Sequence, residues 1–352
     1  MLAKYALIPE KEQCEILTED IDPNTLQADE ILVRSSFSVI SAGTELSGFY
    51  ALSPRVYQKG AWNAYPWRPG YGVVGEVILS GDAVSRFKPG TRVFFFGKHA
   101  SLQKFKVDVE NRNNVQGAFP VIMELNDKQA ASSRMGLVGI TAPQISGVIP
   151  GGTAAVFGLG TVGNLAAQFY KQGGMRVIGL DPVKNRCEIA RKTGIDEVIC
   201  EPSDQQVNVL LALTDGEGVD IAVDAAGQSA VIQSCVMSVK KHGKIVLLGS
   251  PREEVSGNLT AVFRPVHLRW LHVLGALEWR LPAYPREDAE GSIAENLHVI
   301  WHMILSGTLH LDDLITHVIK PEELKETYRC LKHKKEEFLG VLINWREKPI
   351  PS

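Results

Sequence analysis

The chain has 352 residues, more than a single hydrophobic core usually holds, so we expect two domains. With 45% hydrophobic and 22% charged residues, its composition is typical of a soluble globular protein. Because 37 Lys and Arg stand against 40 Asp and Glu, the net charge of −3 offers no basic surface for nucleic acid or for an anionic membrane.

The cysteines and the apolar runs of the sequence bear on the cellular compartment of the protein. The sequence contains the cysteines Cys14, Cys187, Cys200, Cys235 and Cys330. They form no CxxC pair and are odd in number, which is typical of reduced thiols. No apolar run approaches the ~18 residues of a membrane helix, and the first residues lack a signal-peptide core. We therefore expect a cytoplasmic protein that acts on a small molecule.

The first part of the chain, residues 1–140, is predicted to be an irregular and mostly β domain. Strands are expected at Ile31–Ser36, Val73–Leu79 and Arg92–Phe96, with glycine and proline turns between them. A long aromatic loop runs from Phe49 to Tyr71. Long loops in compact domains are often functional, so this loop is predicted to form a lid or pocket wall; the alternative is that it packs onto its own domain.

The clearest pattern of the chain begins at Ala154. An apolar strand, Ala154–Phe157, leads into Gly158-Leu159-Gly160-Thr161-Val162-Gly163, and a helical pattern follows. A second apolar strand, Arg176–Leu180, then ends on Asp181. The order is therefore strand, glycine turn, helix, strand and acid.

Each part of this pattern suits a dinucleotide. Gly158 allows a sharp turn, Gly160 lets a pyrophosphate approach the backbone, and Gly163 lets the helix pack closely on the sheet. The helix N-terminus offers free N–H groups to the phosphates. Asp181 lies about 20 residues further on, where a carboxylate can accept the hydroxyls of an adenosine ribose. Because Asp181 would repel a 2′-phosphate, NAD(H) is predicted over NADP(H), although Arg186 could partly offset this.

The rest of the chain alternates between predicted helices and strands. Helices are predicted at Lys184–Lys192, Gln205–Leu213, Ala230–Val239, Ser292–Leu305 and Pro321–Leu331, and strands at Glu197–Cys200, Asp220–Ala225, Lys244–Gly249, Leu271–Ala276 and Phe338–Trp345. This alternation predicts an α/β fold with a doubly wound parallel Rossmann sheet. The apolar strand Leu271–Ala276 would lie at the sheet edge and invites pairing with its own copy, so a homodimer is expected, with a tetramer as the alternative.

Several motifs together resemble the medium-chain dehydrogenase/reductase superfamily. They are Ala42-Gly-Thr-Glu45, Gly70–Val77, Lys88-Pro-Gly-Thr-Arg92, Val156–Gly163, Asp224-Ala-Ala-Gly227 and Leu314-Ile-Thr-His-Val318. The resemblance implies a GroES-like catalytic domain formed by residues 1–137 and 280–352, with a dinucleotide-binding domain, 138–279, inserted between them. The predicted cofactor contacts are Gly158, Leu159, Gly160, Thr161, Val162, Gly163, Asp181, Arg186, Ala226 and Gly249.

The zinc-binding branch of that superfamily carries ligands that this chain lacks. Ala42 stands where those members have a cysteine, and Tyr71 stands where they have a histidine. The third ligand, an acid or a cysteine, should fall at Ser132–Met135, which offers neither. The lobe that holds a structural zinc is missing between Gly97 and Phe105. Since a catalytic zinc needs about three protein ligands, no metal is predicted.

Without a metal, other groups must move the proton. Tyr71 is the first candidate for an acid or base, although it could instead be an aromatic plug. Thr44 lies, by the resemblance, beside the substrate and the nicotinamide. Glu45 is a third catalytic candidate, with a structural hydrogen bond as its alternative. Arg134 could lower the pKa of the phenol or hold an anion.

Three functions are compatible with these residues. The first is a metal-independent, NAD(H)-linked oxidoreductase that acts on an alcohol, polyol, sugar or ketone. The second is a zinc-free enoyl or quinone reductase, because the stretch Gly139–Ala142 resembles the nicotinamide-side turn of such enzymes. The third is a non-catalytic dinucleotide-binding protein.

Overall fold

The computed structural model describes residues 1–107, 110–111, 114–115, 117–252 and 254–346. Its strands are β1 (Leu2–Leu7), β2 (Glu15–Asp20), β3 (Glu30–Val39), β4 (Val73–Ser80), β5 (Arg92–Phe95), β6 (Leu102–Lys106), β7 (Glu110–Asn111), β8 (Asn114–Val115), β9 (Ala118–Pro120), β10 (Thr153–Phe157), β11 (Arg176–Leu180), β12 (Glu197–Ile199), β13 (Val219–Asp224), β14 (Val239–Leu247), β15 (His272–Gly275), β16 (Ile315–Ile319) and β17 (Gly340–Asn344). Its α-helices are α1 (Ala42–Phe49), α2 (Asp127–Gly139), α3 (Thr141–Ser146), α4 (Thr161–Gln172), α5 (Lys184–Lys192), α6 (Ser203–Leu213), α7 (Ser229–Ser238), α8 (Leu259–Leu268), α9 (Ile293–Leu305) and α10 (Leu324–His333).

The predicted doubly wound sheet is confirmed. Six parallel strands lie in the order β12-β11-β10-β13-β14-β15, so the winding reverses between β10 and β13. Phe157 pairs with Asp224 at the ends of these two strands. In such sheets the ligand binds beyond the carboxyl ends of the strands at this reversal. The glycine turn after β10 is therefore placed where a dinucleotide would bind.

Helix α4 packs against the sheet through the face that the sequence predicted. Leu165 and Ala166 are completely buried and Phe169 is 6% exposed. Burying side chains of the size of Leu and Phe contributes about 1.5–3 kcal/mol each. Because this packing fixes the axis of α4, it also fixes the direction in which the N-terminus of the helix points.

A second sheet forms the core of the other, mostly β part of the chain. Its strands lie in the order β16-β17-β3-β4-β5-β9, and β6 also pairs with β3. Strands β16 and β17 come from the last 40 residues that the structure describes, and β17 runs antiparallel to β3. The end of the chain thus returns to the sheet that the beginning of the chain builds.

The mostly β interpretation of residues 1–140 missed two helices. Helix α1 begins inside the Ala42–Glu45 motif, and α2 follows Asn126, whose side chain accepts from the Gln129 N–H in a capping box. Neither helix has a clear apolar stripe, and α2 is buried on most of its surface. A helix that is buried on all sides shows no alternation of apolar and polar faces, so its sequence lacks the 3.6-residue hydrophobic period that indicates a helix.

The aromatic loop packs mainly onto its own domain, which was the alternative expectation. Trp67 is 4% exposed, and a methyl group at Gly48 of α1 would lie 2.3 Å from Cζ3 of Trp67. The Tyr65 hydroxyl donates to the Gly48 carbonyl. At the surface of the same loop, Tyr57 is 66% and Trp62 is 62% exposed.

Candidate active site

The three glycines of the turn after β10 have three different surroundings. Gly158 adopts φ of +94°, a left-handed conformation that favours glycine. A methyl group at Gly163 would lie 1.8 Å from the carbonyl oxygen of Gly158, so α4 could not pack this close with any other residue there. A methyl group at Gly160, in contrast, would meet no atom within 4 Å. The turn therefore has open space above Gly160, where a pyrophosphate would approach.

Helix α4 directs its N-terminus into that space. Gly160 caps the helix without a side-chain hydrogen bond, and the first main-chain bond inside the helix is from Asn164 N to Gly160 O. The N–H groups of Thr161 and Val162 are among those that a helix leaves for outside acceptors. Together with the positive end of the helix dipole they suit a phosphate group. These residues fit a dinucleotide.

Asp181 is held against the glycine turn. It is 2% exposed, and its carboxylate accepts from Leu159 N at 2.8 Å and from Val183 N at 2.9 Å. Arg186 Nη1 lies 3.4 Å from the same carboxylate. The structure thus places Asp181, which the sequence assigned to the ribose, against both the glycine turn and Arg186.

The ends of β13 and β14 form the wall beside this turn. Asp224 is completely buried, and its Oδ1 accepts from the N–H groups of Ala226 and Gly227 at 3.0 Å each. Gly249 N donates to the Asp224 carbonyl at 2.7 Å. Burial raises the pKa of Asp224 to about 6, against the lowering effect of the Gly227 and Ala226 N–H groups and of Arg252. Ala226 therefore lies against Gly158 of the turn, and Gly249 lies against Gly227.

Tyr71 lies at the centre of a group of hydroxyls. Its phenol donates to Ser41 Oγ, and Thr44 Oγ1 is 3.5 Å from it. Ser41 and Thr44 lie at the start of α1, and Tyr71 lies just before β4. Burial raises the pKa of the Tyr71 phenol, while Arg134 opposes that rise. The phenol therefore stays protonated near neutral pH, which suits a proton donor.

Arg134 takes an unusual position for a charged side chain. It is completely buried in α2, with its guanidinium 4.3 Å above the Tyr71 ring and 5.0 Å from the Trp279 ring centre. One of its nitrogens donates to Glu278 Oε1. Its Nε and Nη1 have no hydrogen-bond partner among the residues that the structure describes. The guanidinium of Arg134 thus lies against the Tyr71 ring, as the hypothesis that Arg134 lowers the pKa of the phenol required.

Gly72 explains how Arg134 reaches this place. A methyl group at Gly72 would lie 2.7 Å from Cβ and from Cγ of Arg134. On the other side of Tyr71, a methyl group at Gly70 would lie 2.6 Å from the main-chain nitrogen of His99. Because a side chain at either glycine would collide with Arg134 or His99, the tight packing around Tyr71 requires glycine on both sides of it.

Glu45 belongs to a different cluster. It is completely buried, and its carboxylate accepts from Ser41 N at 2.8 Å and from the Tyr328 hydroxyl at 2.7 Å, with His99 Nε2 at 3.0 Å. Burial and the Glu45 charge raise the pKa of Tyr328. Since these partners enclose the carboxylate away from the Tyr71 hydroxyl, the geometry favours the structural alternative over a catalytic role. Glu45 connects the start of α1 to α10 through its hydrogen bonds with Ser41 N and the Tyr328 hydroxyl.

Two site residues were missed at the sequence level. Ser41 immediately precedes the Ala42–Glu45 motif, and only the structure shows its hydroxyl against Tyr71. Arg252 follows the end of β14, and its guanidinium lies beside Gly43 and Gly227. An arginine at the carboxyl end of a parallel strand was a signal that could have been used.

The side chains present do not fit a catalytic zinc. Ala42 and Tyr71 offer no thiolate or imidazole, and Arg134 adds a positive charge that would repel a divalent cation. Within the described part of the chain, no group of three or more His, Cys, Asp or Glu side chains is placed to hold a metal. In the same residues, no helix is both long and apolar enough to cross a membrane.

Comparisons with known proteins show which proteins this chain is similar to. Residues 161–290 match the family described as zinc-binding dehydrogenase. The D-guloside 3-dehydrogenase of Escherichia coli is 25% identical over 335 residues, which covers 88% of this chain and 91% of the relative. The sorbitol dehydrogenase of Bacillus subtilis is 27% identical over 270 residues, which covers 68% of this chain and 73% of the relative.

Solved structures show the same fold. The 2R,3R-butanediol dehydrogenase of Bacillus subtilis superposes with a TM-score of 0.76 at 19% identity, over 97% of this chain and 99% of that one. An alcohol dehydrogenase of Escherichia coli in complex with NADH superposes with a TM-score of 0.77 at 18% identity, over 97% and 99%. A zinc-binding dehydrogenase of Sinorhizobium meliloti bound to NADP reaches 0.73 at 18%, over 98% and 99%.

The fold and the glycine turn define a dinucleotide-dependent dehydrogenase. Residues 161–290 are a zinc-binding dehydrogenase domain, and the chain is an oxidoreductase of the alcohol and polyol dehydrogenase kind.

Proposed function

We propose that this protein is a metal-independent, NAD(H)-linked oxidoreductase that interconverts a secondary alcohol of a polyol or sugar and the corresponding ketone. One observation carries the proposal: a protonated phenol, Tyr71, lies against the hydroxyls of Ser41 and Thr44, at a position that by the resemblance belongs to a metal-binding histidine in the zinc members. The names of the polyol-oxidising and guloside-oxidising relatives support the substrate class.

When bound, the nicotinamide supplies or accepts the hydride. During reduction, Tyr71 donates its proton to the carbonyl oxygen as negative charge develops there. Arg134, 4.3 Å above the ring, stabilises the phenolate that remains. The proton returns from solvent through the hydroxyls of Thr44 and Ser41, which contact the phenol oxygen. During oxidation the steps run in reverse: the Tyr71 proton leaves through the hydroxyls of Ser41 and Thr44, and the phenolate then takes the proton of the alcohol.

The proposal is tested by a turnover screen. NADH should be consumed with ketoses, and NAD+ should be reduced with polyols, while enones and quinones should react far more slowly. Turnover confined to enones or quinones would favour the enoyl or quinone reductase. Cofactor binding without turnover of any of these compounds would favour the non-catalytic protein.

We propose that the cofactor is NAD(H) rather than NADP(H). Asp181 is fixed toward the glycine turn, and a 2′-phosphate there would meet a like charge. We expect NADH to bind at least about tenfold more tightly than NADPH, since like charges in contact cost several kcal/mol. Asp181→Ala should narrow this gap, measured by quenching of protein fluorescence. Asp204→Ala, which removes an exposed acid of the same domain, is the control. Equal affinities in the unmodified protein would refute the preference.

We propose that the protein is a homodimer joined at β15. This strand pairs only with β14 among the described strands, and Val273 is 45% exposed on it. An exposed apolar edge strand favours pairing with its copy. We expect twice the chain mass in sedimentation at micromolar concentration and a monomer for Val273→Asp. Leu213→Asp, at an exposed leucine of α6, should remain a dimer. A monomeric unmodified protein would contradict the proposal, and a tetramer would require a second interface.

The five cysteines are free thiols in the structure. Free thiols persist in reducing compartments, and we therefore propose that the protein acts in the cytoplasm.

A further inference from the structure

Arg252 lies between the two parts of the molecule. A methyl group at Gly43, in the first turn of α1, would be 2.8 Å from Nη2 of Arg252. A methyl group at Gly227, in the loop after β13, would be 2.9 Å from Nη1. The guanidinium therefore fills the gap between the helix that carries Thr44 and the strand end that lies beside the cofactor turn.

The charge of Arg252 is not neutralised by a contact. Its side chain makes no hydrogen bond or ion pair with any residue that the structure describes, and burial lowers its pKa while Tyr71 and Asp224 oppose that fall. The charge of Asp224 acts on Arg252, but Oδ1 of Asp224 already accepts hydrogen bonds from two main-chain N–H groups. A guanidinium without a partner can bind an anion through its N–H donors in charge-assisted hydrogen bonds.

The second arginine of the site strengthens the positive potential. Arg134 has one counter-charge, Glu278, and its Nε and Nη1 have no partner among the described residues. Of the two guanidinium groups near Tyr71, that of Arg134 is paired with Glu278, and that of Arg252 has no carboxylate in contact among the described residues. The phosphates of a dinucleotide would lie at the N-terminus of α4, so they do not account for the unpaired guanidinium of Arg252.

We infer that the substrate carries an anionic group, a carboxylate or a phosphate ester, and that Arg252 binds it. This inference rests on the proposed function. The reacting carbonyl would lie at the Tyr71 hydroxyl beside Thr44, and the anionic group would lie toward Gly43 and Gly227. A guanidinium matches both kinds of anion, because its fork of N–H donors pairs with two oxygens at once. The substrate class is therefore a keto or hydroxy sugar acid, or a sugar phosphate.

The test compares ketones that differ in charge. D-Fructose is neutral, 5-keto-D-gluconate carries a carboxylate, and D-fructose 6-phosphate carries a phosphate. With NADH, we expect kcat/KM for one of the charged compounds to exceed that for fructose by about 10- to 100-fold, the range expected of charge-assisted hydrogen bonds. Whichever charged compound is preferred decides between the carboxylate and the phosphate.

Substitutions assign the preference to Arg252. In Arg252→Gln the ratio of the two kcat/KM values, charged over neutral, should fall by about 10- to 100-fold, and Arg252→Lys should retain part of it. Arg55→Gln removes an exposed positive charge elsewhere and should leave the ratio as it is. Thermal unfolding and NADH affinity of each variant report whether the fold persists.

Each outcome has a distinct meaning. Turnover of fructose with no preference for a charged compound would overturn the inference and leave the proposed function standing. Loss of NADH affinity in Arg252→Gln, with an unchanged substrate ratio, would assign Arg252 to the cofactor and overturn it too. If no compound turns over, binding of the charged compounds to the NADH complex is measured by thermal shift. Binding that requires Arg252 would support the inference while the proposed function fails; absence of binding would overturn both.

Discussion

Replacing Tyr71 by Phe should lower turnover by about 10²–10⁴-fold, because one well-placed proton donor typically contributes that much. The substitution removes only the hydroxyl that faces Ser41 and Thr44. The ring that packs under Arg134 remains, so the fold and NADH affinity should be unchanged. Steady-state kinetics with the preferred ketone and NADH, together with NADH titration, provide the measurement.

Two controls test whether the Tyr71 phenol, rather than a metal ion or Ser41, is the proton donor. A chelator should leave the activity of the unmodified enzyme unchanged, because the side chains around Tyr71 do not suit zinc. Ser41→Ala should cost less than Tyr71→Phe, since Ser41 contacts the phenol and not the substrate oxygen. Full activity of Tyr71→Phe would assign the role of proton donor to Thr44 or to a water molecule. Tyr71 would then serve only as an aromatic side chain that fills the space. Stoichiometric zinc with chelator-sensitive activity would overturn the metal-independent mechanism.

The cofactor half of the site could be predicted from the sequence because its requirements are local. Gly158, Gly160 and Gly163 lie within six residues, and each constraint on them comes from the chain's own turn or from the helix that follows. Asp181 follows from the length of one strand-helix-strand unit. Helix α5 begins and ends at the predicted residues, Lys184–Lys192, and it buries Cys187 and Ala190, which lie three residues apart on one face. Local geometry leaves few alternatives for such a segment.

The catalytic half of the site could be predicted only in part because its contacts are long-range. The Tyr328 hydroxyl reaches Glu45 across 283 positions of sequence, and Arg134 meets Glu278 across 144. Contacts between residues so far apart cannot be predicted from the spacing of residues in the sequence. Tyr71 could be singled out through the resemblance, because it takes the place of a metal ligand. Arg252 could have been noticed as an arginine beyond the carboxyl end of a parallel strand, but its role depends on how closely Gly43 and Gly227 approach it.

The strongest test of the cofactor turn compares two substitutions of the same chemistry. Gly160→Ala should leave the stability of the free protein almost unchanged, because a methyl group there meets no atom within 4 Å and φ is −61°. It should nevertheless raise the Kd for NADH by about 10- to 100-fold, since the methyl group fills the space that the pyrophosphate needs. Fluorescence titration with NADH gives the affinity.

Gly163→Ala should do the opposite, because the added methyl group would lie 1.8 Å from the Gly158 carbonyl oxygen. That oxygen belongs to the main chain of the turn, so α4 must move away from the sheet or the turn must shift. Overpacking of this kind usually costs about 1–3 kcal/mol and occasionally more, and a main-chain collision belongs at the upper end. We therefore expect the denaturation midpoint of Gly163→Ala to fall clearly below those of Gly160→Ala and the unmodified protein. If Gly160→Ala bound NADH normally, the dinucleotide would have to approach the turn from another direction. If Gly163→Ala were as stable as the unmodified protein, the close contact between α4 and the strand could not be what requires glycine at that position.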